Sequence, residues 1–302
     1  MEIISRDVGK CYKIKKGLFK TYNVDVLKDF NYVIKQGEII GVLGLSGAGK
    51  STIVNLLSGR IKPTFGQILV DGEEDYKKLQ NNCEIISDFN EKRLLNNHSV
   101  YDNLIYFGAK YKLNEFDVEK HISTYREIFE LDKILNKKVS ELDYLGLIKV
   151  NITISMLKKA SVLFFDSALT TLGVIERNLV LKMLKRLNKE YRTTIVVSSN
   201  DLLDIEKICK RLTIVKEGKI IEDGEFDYLK NKLWNKKIIS IVFNKSYVAP
   251  KGEFEIIESS DYLLRLKVDF KMCDFASVIN QFDINNIVDI NISSISLNDL
   301  YN

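Results

Sequence analysis

Two prolines, two histidines, one tryptophan and four cysteines are spread over 302 residues. His98 and His121 lie far apart in sequence, which argues against a histidine-based metal site or catalytic triad. Cys11, Cys83, Cys209 and Cys273 form no C-x-x-C pair, so neither a zinc site nor a redox motif is indicated. Scattered single cysteines suit buried apolar positions and a reducing compartment. The scarcity of proline beside abundant Asn, Ile and Lys reads as codon bias from an AT-rich genome. No apolar run approaches the ~20 residues that span a bilayer, and MEIISRDVGK lacks the apolar core of a signal peptide. Work at a membrane would therefore need other chains to cross it. A net charge of +4 gives no independent argument for nucleic acid.

With 45% apolar and 28% charged residues, the composition is that of a globular protein. The length fits one large domain and a small one. GEIIGVLG, an apolar run bounded by glycine, reads as a buried strand. It runs directly into Gly44-Leu45-Ser46-Gly47-Ala48-Gly49-Lys50-Ser51-Thr52, and the helical pattern Ile53, Val54, Leu56, Leu57 follows. Strand, glycine-rich loop and helix are the context of a phosphate-binding loop. Glycines let backbone N–H groups turn around phosphate oxygens, and the helix presents its N-terminus to the same charge. Lys50 would reach the β- and γ-phosphates and the Ser51 hydroxyl would hold Mg²⁺. Further on, VLFFD is an apolar strand ending in Asp166, a carboxylate placed to hold Mg²⁺ through water.

Other segments read as strands at Glu2–Ile14, Asp29–Ile34, 66–71, Cys83–Ser87, Thr193–Ser198, Leu212–Lys216 and Lys219–Glu222. The basic stretch KIKKGLFKTYN between the first two reads as a hairpin tip or insertion. Residues 90–160 are mostly helical in pattern, and helices are expected near Ile175–Leu187 and Leu202–Cys209. Strands alternating with helices imply a mainly parallel, covered sheet. A boundary is expected near Trp234–Lys236, separating residues 1–234 from a small α+β domain at 235–302 with no cluster of chemical groups.

This order of segments resembles the nucleotide-binding subunit of ATP-binding cassette (ABC) transporters. GEIIGVLGLSGAGKSTIVNLLSGRIKPTFGQILVDG and TTIVVSSNDLLDIEKICKRLTIVKEGKIIEDG carry the likeness, which covers nearly the whole chain. The C-terminal IVDINISSISLNDLY is similar to the tail of exporter-type ATPases. The resemblance implies an α/β phosphate-loop ATPase fold, a mainly parallel sheet with antiparallel and helical subdomains, and a small C-terminal α+β domain. It implies ATP and Mg²⁺ as ligands, with Gly44, Ser46, Gly47, Ala48, Gly49, Lys50, Ser51 and Thr52 at the phosphates. Tyr12, in Lys10-Cys11-Tyr12, is the candidate for stacking on adenine, with Tyr22 or Phe19 as alternatives. Ser51, Asp166 and Asn90 are the candidates at the metal. Implied partners are membrane permease subunits and a second ATPase chain, without nucleic acid, at the cytoplasmic face of the cell membrane. Tyr106, Phe107 and Tyr111 would face the permeases or form subdomain core.

Several positions depart from the family pattern. Ser167 stands where the family has the Glu that polarises the attacking water, and Asn200 where it has the switch His. The signature segment reads Leu142-Asp143-Tyr144-Leu145-Gly146 instead of LSGGQ, and the D-loop reads Leu172-Gly173. Loss of a general base costs roughly 10²–10⁴ in rate. Family dimers place each ATP between one chain's phosphate loop and the other's signature. A homodimer would therefore be damaged at both sites, which favours pairing with a more competent chain. The reading is a subunit that binds ATP and scarcely hydrolyses it by itself. The alternative is a non-transport, ATP-sensing regulator or adaptor built on the same fold.

Overall fold

The computed structural model describes residues 1–16, 20–87, 94–234, 236–248 and 250–295. They form two compact units, Met1–Asp223 and Gly224–Asn302.

The main unit opens with a long antiparallel ribbon. β1 (Ile3–Lys16) pairs with β2 (Lys20–Ile34) from Ile3↔Ile34 to Lys16↔Lys20. The second strand starts earlier than the Asp29 expected from sequence, because Lys20–Asp25 also pairs and extends the ribbon outward. β3 (Ile39–Leu43) follows and leads to α1 (Lys50–Leu57). β4 (Phe65–Val70) then completes a three-stranded sheet in the order β2-β1-β4. Its pairing with β1 ends at Gly9↔Phe65, so the outer ribbon is two-stranded.

After α2 (Tyr76–Asn82) and β5 (Cys83–Ile86) come α3 (Val100–Lys110), α4 (Glu115–Phe129) and α5 (Tyr144–Leu157). Ser99 and Asn114 start α3 and α4 with capping boxes, each exchanging bonds with an Asp three residues on. Gly108 lets these two helices meet, since a Cβ there would collide with the Val118 side chain. α5 is buried on nearly every side, which explains why its sequence shows no polar stripe. Phe107 is fully buried and Tyr106 is exposed, so Phe107 belongs to the core rather than to a contact surface.

The central sheet has the order β5-β6-β7-β3-β8-β9, with β6 (Val162–Asp166), β7 (Thr194–Ser199), β8 (Arg211–Lys216) and β9 (Lys219–Glu225). From β5 to β8 each pair is parallel. The inner strands β3 and β6 are apolar along their length because both faces are covered, whereas the edge strand β9 alternates exposed and half-buried residues. α6 (Val174–Tyr191) buries Met183 and Leu187 and exposes Ile175, so the expected apolar face begins one turn later. The helix expected at 202–209 is only a 3₁₀ turn, Leu202–Asp204, with Asp201 as its N-cap, followed by further turns.

The smaller unit begins with α7 (Phe226–Trp234). Its sheet has the order β11-β12-β10-β13, with β10 (Lys236–Phe243), β11 (Phe254–Ser259), β12 (Leu263–Asp269) and β13 (Ile287–Ser294), all antiparallel. α8 (Phe275–Ile279) adds Val278 to a core of Ile239, Ile241, Leu264, Leu266 and Val268. The division precedes α7, whereas sequence places a boundary after it, because α7 packs with β10.

Candidate functional site

The carboxyl ends of parallel strands are where open α/β sheets gather ligands. β3 and β6 lie on either side of β7, and Val42, Ser198 and Asp166 stand in one register across the three. The loop after β3 and the carboxylate ending β6 therefore sit on the same sheet edge. Ser198 Oγ donates to Asp166 Oδ1 at 2.7 Å, which fixes that carboxylate.

Gly44 leaves the sheet with its N–H bonded to Ser199 O, 3.1 Å. Gly47 (φ +81°) and Gly49 (φ +99°) then take left-handed backbone that other residues adopt at a cost. Around Gly47 a Cβ would meet nothing within 4 Å, so the loop is open on that side. Gly49 starts α1 without any side-chain cap, leaving the first N–H groups of the helix to an incoming acceptor. Lys50 is 8% exposed and its Nζ donates to Gly44 O (2.7 Å) and Leu45 O (3.0 Å). Burial holds its pKa below the usual lysine value, while the Asp166 charge works in the opposite direction. Ser46 and Ser51 are exposed, Thr52 is half-buried and Ala48 is buried.

These residues fit a nucleotide polyphosphate with a divalent cation. The loop offers amides, an uncapped helix end and an ammonium, and the sheet edge offers Asp166. Among the described residues no three His, Cys, Asp or Glu side chains converge on a metal position. A cation held by Ser51 and Asp166 would thus take most of its ligands from phosphate oxygens and water, as Mg²⁺ prefers.

Two further residues support the loop and were missed by sequence reasoning. Gly218, in the β8–β9 turn, donates its N–H to Ala48 O at 2.9 Å. A Cβ at Gly218 would collide with Val26 O, and one at Gly49 would lie 3.4 Å from the same oxygen. Val26 of the ribbon, the turn and the loop therefore touch backbone to backbone. The Glu217-Gly218 pair in KEGK was the available signal for a tight turn.

Tyr12 lies on the two-stranded ribbon, paired with Val24 and 37% exposed, with Lys10 Nζ 5.4 Å from its ring centre. Tyr22 pairs with Ile14 further out. Phe19 and Asn90 lie outside the described residues.

The positions read from sequence as departures have definite surroundings. Ser167 has left-handed backbone (φ +55°); its N–H bonds Ser198 O at 3.1 Å, and its own carbonyl accepts from Thr170 Oγ1. Asn200 is exposed just past β7. Asp143 is the N-cap of α5, its Oδ1 accepting from Gly146 N at 2.7 Å. Tyr144 Oη donates to Ala168 O at 3.1 Å, tying α5 to the segment after β6. Gly173 caps α6 and Leu172 is buried.

A buried ion pair, not foreseen from sequence, joins two of these loops. Arg177 Nη1 lies 2.6 Å from Asp204 Oδ1 and Arg177 Nη2 donates to Leu172 O at 3.3 Å. Asp204 is fully buried and accepts a short hydrogen bond from Ser199 Oγ. Burial raises its pKa, opposed by the Ser199 bond and by Arg177. Ser199, beside Asn200, is thereby linked to Leu172, beside Gly173.

Residues 27–170 match the family model described as ABC transporter. The chain is 30% identical over 228 residues to the methionine import ATP-binding protein MetN 1 of a Bacillus cereus strain, covering 72% of this chain and 63% of that protein. It is 26% identical over 210 residues to MetN 2 of the same strain, covering 67% of this chain and 61% of the relative. The chain thus spans less than two thirds of the length of these curated relatives. Among solved structures it resembles cbiO1 of Clostridium perfringens, part of the ABC transporter complex cbiONQ, with TM-score 0.67, 24% identity and coverage of 75% and 89%. It also resembles the ATP-binding cassette MJ0796, a dimer in a post-hydrolysis state bound to ADP and Pi, with TM-score 0.62, 23% identity and coverage of 74% and 98%.

Proposed function

Because Met1–Asp223 has the fold of ABC transporter ATP-binding domains, we propose that this chain is a transporter subunit that binds ATP with Mg²⁺ and scarcely hydrolyses it by itself. The contrast between two helix ends carries this reading. α1 starts at a glycine with no side-chain cap, whereas α5, at the signature position, is capped by the carboxylate of Asp143. An anion is favoured at the first end and opposed by like charge at the second.

In this reading the loop amides and Lys50 bind the β- and γ-phosphates, exchanging the carbonyl partners of Lys50 for phosphate oxygens. Ser51 and Asp166 hold the cation, and Ser198 keeps Asp166 oriented. Tyr12, beside Val24, stacks on the base. Mg²⁺, when bound, neutralises charge on the phosphates. Ser167 cannot accept a proton from water at neutral pH as a carboxylate can, and Asn200 cannot carry one. Roughly 10²–10⁴ in rate is forgone with the general base alone.

Pairing with a second ATPase chain that supplies an intact signature completes a site at this chain's loop. The pair couples to membrane permease subunits from the cytoplasmic side; among the described residues no helix is long and apolar enough to cross a membrane. The exporter-type class rests on the C-terminal sequence; the likeness to methionine import proteins favours uptake as the second reading.

The test is equilibrium binding of ATP–Mg²⁺ to the full chain, with Lys50→Ala as control, beside phosphate release by the chain alone. Tight binding without turnover is expected, and brisk hydrolysis by the isolated chain overturns the reading. Purification from mild detergent should bring down membrane subunits. Soluble partners only would favour an ATP-sensing regulator instead.

A further inference from the structure

A pocket of about 430 Å³ lies in the main unit away from the phosphate loop, where α4, the residue pair after α5 and the end of α6 come together. Its lining is rich in hydrogen-bond donors and poor in acceptors. Lys120 and Lys159 both line it, and neither has a carboxylate partner among the described residues. Tyr125 is only 7% exposed, and its hydroxyl makes no hydrogen bond among the described residues. Burial, with Tyr191 nearby, pushes that hydroxyl up to about 12, so it remains a donor at neutral pH. The Thr124 hydroxyl is already spent on Lys120 O. Asp117 is the single carboxylate of the lining, and its Oδ2 accepts from the Asn114 N–H that opens α4.

One wall is aromatic. His121 stacks on Tyr125 with ring centres 6.2 Å apart and planes 16° apart, and Tyr125 meets Tyr191 at 5.2 Å. Among the described residues, the buried polar side-chain atoms without a partner do not include the Tyr125 hydroxyl, which therefore opens to solvent in the pocket and is free to donate to an acceptor there. The two ammonium groups at the rim decide the charge of that acceptor. A space of this size with a few convergent polar groups and an aromatic wall matches what small-molecule sites require.

We propose that this pocket binds a small organic oxyanion, a phosphate or carboxylate attached to a flat ring, with Lys120, Lys159 and the Tyr125 hydroxyl on the anion and Tyr191 against the ring. Such a ligand touches α4, the turn after α5 and the end of α6 at once. α5 carries Asp143 at its other end and α6 starts at Gly173, so occupancy would fix α4 against the two helices that frame the loops after β6. The site is an effector site, and it stands whatever the phosphate loop binds.

The chain has only two histidines, so imidazole proton NMR reads the pocket directly, with His98→Asn to assign the resonances. Burial and the Lys159 charge hold the His121 pKa below its usual value, with Asp117 opposing and Lys120 adding to the effect. The probes are phenyl phosphate, benzoate and inorganic phosphate, added to the full chain. Phenyl phosphate should raise the His121 titration midpoint by about one pH unit, as a nearby anion does. It should bind more tightly than inorganic phosphate, and the shift should persist in Lys50→Ala. Lys159→Gln should weaken binding about tenfold, the share of one charged hydrogen bond. Tyr191→Ala should remove the preference for the ring. A His121 resonance indifferent to all three probes overturns the proposal, and so does binding unaffected by Lys159→Gln. Equal affinity for phenyl and inorganic phosphate overturns the ring-binding half.

Discussion

Asp143 Oδ1 accepts the Gly146 N–H at 2.7 Å, so α5 begins with a carboxylate of its own chain bound to its first turn. That bond has a measurable share in stability. Asp143→Ala should destabilise the main unit by about 1 kcal/mol, and Asp143→Ser should recover most of it. Urea denaturation of the full chain checks both, and an Ala variant as stable as the parent counts against the cap.

Gly218 should tolerate no side chain. Alanine there would drive a Cβ into Val26 O and force the β8–β9 turn off the loop. Gly218→Ala should lower the melting temperature and also weaken ATP binding, although Gly218 is no phosphate ligand. Calorimetry and nucleotide titration of the same sample test this. Unchanged affinity would mean that the turn does not set the loop.

Arg177 and Asp204 predict a pH dependence. The folded pKa of Asp204 is raised above its ordinary 3.8, chiefly by burial. Between those values the folded chain binds more protons than the unfolded one. The contribution of Asp204 is therefore full below 3.8 and is lost as pH rises through the folded pKa. Arg177→Met removes the charge that opposes this. The loss should then extend to higher pH, and the variant should be about 3 kcal/mol less stable than the parent near pH 7, with the gap closing in acid. Denaturation curves from pH 4 to 8 that stay parallel would refute it.

Ser167→Glu tests which site lacks what. Glu130 and Glu217 already adopt left-handed backbone elsewhere, so a Glu fits the φ of +55° at Ser167. Alone, the variant should release no more phosphate than the parent, because α5 still opens with Asp143. Mixed with a partner chain that has an intact signature, turnover should rise by roughly 10²-fold or more. Phosphate release in both formats decides it.

The phosphate loop was legible because its chemistry is local: strand, glycines, lysine and helix follow one another. Asp166 was legible because an apolar strand that ends in a carboxylate is conspicuous. The Arg177–Asp204 pair was not, since its partners lie on separate elements and only the fold brings them together. Gly218 and Val26 were missed for the same reason, as backbone contact leaves little trace in residue type. The 3₁₀ turn at Leu202–Asp204 escaped because apolar spacing there imitates a longer helix. Asp143 was located from spacing, but its role as a cap needed the geometry.

The ribbon of β1 and β2 reaches well past its last contact with β4, and Val26 near its base abuts Gly49 and Gly218. Mechanically it is a lever with its fulcrum at the nucleotide cradle. A load on its far end is borne where backbone meets backbone, at atoms that cannot rotate away as side chains can. Whatever takes hold of that arm takes hold of the loop, and whatever fills the loop stiffens the arm.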